Sequence, residues 1–444
     1  MGRTMNKVNN KKGSIAVFLT SILVSMIMVS MVFVQAARSI LVASYADAVL
    51  EVAGRSVLSE FDRRLKDEYG FFAFYGLENR VAADIKFYAS CSFNKTYPGE
   101  FLSPFGTITD LLKPELQQTN VSLAAYSLVD VDIFEKQIEG FMNYMIAQKG
   151  IAFIKNMWKK GGSKPEGKPA EARELKNQVE IANLPSRGNV SNGIDIVSVV
   201  SGGLPTIEQV FEEGTLNFKV CEYIMSHFKY SLGGDKGKDT FFQNEVEYIL
   251  YGKMKDKDNI ARLRTDFLLM RIPLNAAHIA ASPEKFDAAV ALSETFGPLA
   301  PVALAAIIAA WAAAEAENDA RRLLDGKNVA LVKTESTWAL SLKSAVQTKK
   351  IRDEDRNVVD MTASPKNISK YVSPPSEDGM SYEHYLRLFL FLEKREAKLL
   401  RVMDLIQLNF RGSYYGDFLM KDHYTGFSLE ANVSGKKFYY EQIY

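Results

Sequence analysis

Four histidines, His227, His278, His384 and His423, lie far apart in a chain of 444 residues. None has a metal-ligand spacing. Glu383-His384 lacks the second histidine that a zinc-protease helix requires. Each is read as a surface or satisfied core histidine. LGGDKGKDT, Leu232 to Thr240, has the look of a phosphate loop. It fails because Leu232 stands where the first glycine is needed and Asp239 where the Ser or Thr is needed. The reading is a polar turn. RDEDRN sets Asp353, Glu354 and Asp355 between Arg352 and Arg356. It lacks the alternating ligands and turn glycine of a calcium loop, and reads as a solvated charge run. No nucleophile elbow occurs, and Cys221-Glu222 has no histidine motif around it. The expectation is therefore a non-enzymatic protein with no catalytic residue, metal or cofactor.

The chemistry that the sequence does spell is at its start, in NNKKGSIAVFLTSILVSMIMVSMVFVQAARS. Ser14 to Ala37 carries no charge and exceeds the ~20 residues that span a bilayer. Arg3, Lys7, Lys11 and Lys12 precede it, with no acid. Basic flanks stay in the cytoplasm, so the bulk of the chain should be extracytoplasmic. Three readings of the segment stand. A cleaved secretory signal would use Val34-Gln35-Ala36, but its apolar region should be shorter. A plain anchor needs nothing further. A pilin-like signal would be cut between Gly13 and Ser14 on the cytoplasmic side, where the peptidase needs a tiny residue, and the helix would stay in the product.

The residues beyond Ala37 favour the anchor and the pilin-like signal. Leu41, Tyr45, Ala48 and Val52, then Leu50, Gly54, Val57, Phe61 and Leu65, recur at helical spacing. This predicts one unbroken helix of about 55 residues up to Tyr69-Gly70, half in lipid and half in a soluble domain.

KKGSIAVFLTSILV, AARSILVASYADAVLEVAGRSVLSEFDRRLKDEYGFFAFYG and later stretches such as FEKQIEGFMNYMIAQKG, LLDGKNVALVKTESTWALSL and YLRLFLFLEKREAKLLRVMDLIQLNFR resemble an uncharacterised family of membrane-anchored proteins of Clostridia-type Gram-positive bacteria. Its opening is similar to the pseudopilin-like proteins of tight-adherence (Tad/Flp) pilus systems. The resemblance covers most of the chain and implies no established activity. It implies a pseudopilin-like component of a pilus-type cell-envelope assembly, with pilin-like helices or assembly proteins as partners. Filament-forming pilins carry glutamate five residues after the cut, where it can pair with the new amine. Phe18 stands there in this chain, which implies an accessory or minor subunit. The alternative is an anchored ectodomain with an unrecognised ligand or enzymatic site.

The elements around this start read as mainly α (α+β): a long transmembrane helix running into a helical exported domain with a small antiparallel sheet. The division is a basic leader at 1–13, the span at 14–37, a helical spine with a small mixed region at 38–158, a linker at 159–193 and a helical domain at 194–444. Strands are expected at Phe71 to Tyr75, at Val121 to Val131 and at Thr425 to Val433, the last two joined in one sheet. Helices are expected at Ile133 to Trp158, Phe241 to Tyr251 and Ile260 to Ala281, and as one piece from Tyr382 to Phe410. Pro298 to Ala314 is alanine-rich and short for a span, so it reads as a helix packed in a bundle, with a second crossing as the alternative. Beyond the basic start the chain is weakly acidic, which argues against nucleic acid as a partner. Two cysteines, Cys91 and Cys221, are too few for a disulfide scaffold. Export permits a bridge between them, but their separation gives it no geometric warrant.

Overall fold

The computed structural model describes residues 10–93, 114–149, 183–187, 194–205, 215–233, 240–345 and 371–444. Most of the expected linker, the acidic RDEDRN run and most of the Leu232 to Thr240 loop lie outside the described residues. The fold is mainly helical with small antiparallel sheets, as the patterning predicts. The chain divides into two units.

The first unit comprises Met1–Lys66, Phe72–Ser127 and Asp422–Tyr444. Helix α1 runs from Asn10 to Leu58. It stops short of the expected end because Asp62 starts a new helix, α2 (Arg63–Tyr69). The Asp62 carboxylate accepts from the Arg64 and Leu65 amides at 2.9 and 3.1 Å, satisfying donors that a helix start leaves open. After the short strand β1 (Phe74–Tyr75) come α3 (Glu78–Phe93) and strand β2 (Leu116–Ser122). The expected strands at Phe71 and Val121 are thus displaced: β1 keeps only two residues, and Ala124–Tyr126 forms a 3-10 turn.

Strands β3 (His423–Tyr424), β4 (Gly426–Val433) and β5 (Lys436–Ile443) end the chain. β1 pairs with β3, and the larger sheet has the order β2-β4-β5. β2 and β4 are joined as expected, with Val121 opposite Leu429. β5 is an addition to the expected strands. It follows β4 through Ser434-Gly435, both at positive φ (50° and 81°), the two-residue turn whose twist suits a hairpin. Alternation buries Phe427, Leu429, Ala431 and Val433. They meet Ala46, Leu50, Ala53 and Val57 of α1 and Val81, Ile85 and Ala89 of α3 in one core.

The second unit comprises Asp67–Phe71 and Leu128–Lys421. It contains α4 (Val131–Lys149), α5 (Ile196–Gly202), α6 (Leu216–His227), α7 (Glu245–Tyr251), α8 (Asp256–Ala281), α9 (Pro283–Glu294) and α10 (Ala300–Leu324). Helices α11 (Tyr382–Leu392) and α12 (Arg395–Ser413) complete it. The single helix expected from Tyr382 to Phe410 is therefore two, broken where Glu393 is extended (φ −68°, ψ 145°). Aromatic rings fill much of this core. Phe71 lies 4.8 Å from Phe134, and Phe242 stacks on Tyr248 at 4.5 Å.

Candidate functional site

Helix α1 changes character along its length. From Ile15 to Leu41 its large apolar side chains are exposed, at no cost only where lipid or another helix takes the place of water. From Val42 onward a stripe at three- and four-residue spacing turns inward: Val42, Ala46, Val49, Leu50, Ala53, Val57. Polar tips fix this half in place. The Tyr45 hydroxyl donates to the Ser92 carbonyl at 2.9 Å. Tyr440 donates to Asp47, and Tyr444 to the Leu58 carbonyl. Gly54 lets the β5 side chain Gln442 approach: a Cβ there would stand 3.0 Å from its Cγ.

Of the two apolar stripes predicted on this segment, only one is buried. Leu41, Ala48 and Val52 face outward, and Leu41 and Val52 are each 57% exposed. Their spacing of seven and four residues sets them on one helix face. They extend the exposed apolar surface of the first half of α1 past the point where the core begins.

Gly13 and Ser14 lie within the helical backbone of α1. Phe18 is 66% exposed. Cys91 is exposed on α3 and Cys221 is buried on α6, and both thiols are free. Burial pushes the Cys221 thiol up, away from the thiolate needed for reactivity.

The histidines are placed in ordinary packing. His227 stacks on Tyr223 at 4.2 Å. His384 Nδ1 lies 2.9 Å from the Ser381 hydroxyl in the box that starts α11. His278 stacks on Trp338, and His423 meets Tyr75 edge-on. Among the described residues no three His, Cys, Asp or Glu side chains are grouped to hold a metal.

The second unit holds buried ionisable networks that no sequence motif announces. Lys333 bonds Glu315 and Asp319. Arg271 bonds Asp319 and Asn275 at 3.0 and 2.9 Å. Arg387 grips Glu222 and Glu383. Glu315 and Asp319 are four apart on the face that carries Trp311 and Ala312, which is the one signal that could have shown them buried. Burial raises Glu247 to about 7, against a hydrogen bond from Tyr382. It raises Asp404 to about 6, although Ser186 and Tyr248 donate to it. Acids near neutrality are the sort that proton-transfer chemistry uses. Both carboxylates are fully enclosed, however. The apolar slot between Leu263, Phe267, Leu323, Tyr385 and Phe389 has Arg264 as its one charged lining residue. These networks hold helices together, and the exposed surface of α1 is the stronger functional feature.

Among known proteins, the model of a family of unknown function (DUF5702) matches residues 164–435, more than half of the chain. No curated protein and no solved structure matches.

Proposed function

This chain belongs to the DUF5702 family, and we propose that it is a non-enzymatic, membrane-anchored, extracytoplasmic protein. In this reading it is an accessory or minor pseudopilin-like component of a tight-adherence or type IV pilus-like assembly. The observation that carries the reading is the outward stripe Leu41, Ala48 and Val52. It continues the exposed apolar surface of the anchor on one unbroken helix. A plain anchor has no need of apolar groups facing water beyond the bilayer. A helix that lies along other helices does.

The basic leader keeps the N-terminus in the cytoplasm and sends the chain beyond the span outside. Inside the bilayer, helices associate through close packing and small residues rather than hydrophobic gain. Ser21, Ser25, Ala36 and Ala37 supply small positions. Phe18 supports an accessory role over a bulk one. The partners are then pilin-like helices or a pilus-type membrane platform, and neither nucleic acid nor a cofactor is involved.

The test is a photo-crosslinking side chain placed at Val52 in the native membrane. Adducts with tight-adherence-type components are expected, and the same probe at buried Val57 should give none. Adducts with lipid or with nothing from Val52 would leave a plain anchored ectodomain.

A further inference from the structure

The tip of the α9–α10 helical hairpin is a second apolar feature that water does not explain. From Phe296 to Ala314 no side chain is charged, and the Trp311 indole carries the only polar hydrogen. The later part of this stretch packs. Trp311 and Ala312 join Ile279, Trp338 and Ala345 in a buried cluster. The earlier part does not. Phe296 is 54% exposed, Leu299 66% and Val302 71%. Surface helices normally turn a polar face to water, and one that is apolar all round belongs in a core or a membrane. Ala306 and Ala310 on the open side of α10 provide no such polar face.

Geometry favours lipid over a protein partner. The large side chains sit at the blunt end of the hairpin, in the turn, instead of along its flank. A blunt end offers little area to a facing protein but enters a fluid layer readily. The end is also stiff and open. Gly297 turns the chain at φ 58°, with Pro298 and Pro301 beside it, and a Cβ at Gly297 would meet nothing within 4 Å. The open apolar run from Phe296 to Ala310 spans roughly 22 Å at 1.5 Å per residue, short of a ~30 Å hydrocarbon core, and its large exposed side chains are at its end. They suit the ~5–10 Å depth of an interfacial contact. Exposed Glu294 at the base of the tip, with Asp287 and Glu284 farther back on α9, limits the depth and supplies no attraction to anionic lipid.

We propose that Phe296, Leu299 and Val302 form a lipid-contacting tip that docks shallowly on the bilayer in which α1 is anchored. The proposal rests on anchoring by α1 but not on any pilus-type role. Because α1 ends at Leu58 and the second unit begins at Asp67, the tip is covalently tethered to the anchor and its contact with the bilayer is an intramolecular event.

The full chain is reconstituted in phosphatidylcholine vesicles, with and without lipids brominated high on the acyl chain. Phe296→Trp and Val302→Trp are compared with Tyr439→Trp, an exposed position on β5, over the same background from Trp158, Trp311 and Trp338. Brominated lipid should quench at least half of the added fluorescence at 296 and 302 and little of that at 439. Replacing a third of the lipid by phosphatidylglycerol should not increase the quenching. Unquenched tips in protein that floats with the vesicles would overturn the proposal. So would disulfide-linked copies formed through Leu299→Cys in a Cys91→Ser background, which would assign the tip to self-association. Failure of the parent chain to float would overturn the anchoring reading, and this proposal with it.

Discussion

The Lys333 ammonium lies 2.7 Å from a Glu315 oxygen and 2.8 Å from an Asp319 oxygen, with all three side chains out of water. Removing one partner of a buried ion network strands charge, which costs ~3–5 kcal/mol. Lys333→Met should destabilise the chain by about that amount, measured by chemical unfolding in detergent. Adding Glu315→Gln should recover part of the loss. Glutamine removes one stranded charge and can still accept one of the two amide hydrogen bonds, from Ala339 and Leu340, that Glu315 now takes on separate oxygens at 3.0 and 2.9 Å, so the recovery is incomplete.

The enclosed Glu247 makes a pH prediction with a definite sign. Burial raises its carboxyl from 4.5 to about 7, so between those values the folded chain holds a proton that the unfolded chain has lost. Stability contributed by this group is therefore full below ~4.5 and falls as pH rises toward 7. Glu247→Gln should flatten that fall and gain roughly 2–4 kcal/mol relative to the parent above pH 7. Unfolding measured from pH 4.5 to 8 checks it, and a parallel pair of curves would refute it.

The two thiols should differ in the native protein. Maleimide is expected to label Cys91 within minutes and Cys221 only after denaturation. Denatured, unreduced protein should then carry two labels. One label or none under those conditions would mean that a bridge or other oxidation occupies them.

Much of the first unit is legible in the sequence because its pattern is simple. The uncharged run from Ser14 to Ala37 and the strict alternation of Phe427, Leu429, Ala431 and Val433 each specify one structure. β2 is hard to place for the opposite reason. Leu116–Ser122 is a polar edge strand, LQQTNVS, whose register comes from β4 and not from its own alternation. The break between α11 and α12 has no glycine or proline to announce it. It is held by side chains of α12: Arg401 donates to the distant Ile249 and Leu250 carbonyls, and Lys398 donates across the break to the Leu390 carbonyl near the end of α11. The outward turn of Leu41, Ala48 and Val52 is half legible. Periodicity shows two apolar stripes but does not say which one the sheet and α3 cover.

In the proposed reading the leader sets the topology. With Arg3, Lys7, Lys11 and Lys12 before the span, a phosphatase fused after Tyr444 should be active. An inactive fusion that a cytoplasmic reporter replaces successfully would mean that the chain crosses back, with α10 as the segment responsible.

The mature N-terminus of the protein from its native membrane tests the central claim most directly. A prepilin-type peptidase should cut after Gly13, so mass spectrometry should find a terminal peptide that begins at Ser14. Gly13→Leu should abolish that peptide and leave the leader attached. A native chain whose terminus lies before Gly13 would contradict the pseudopilin-like account.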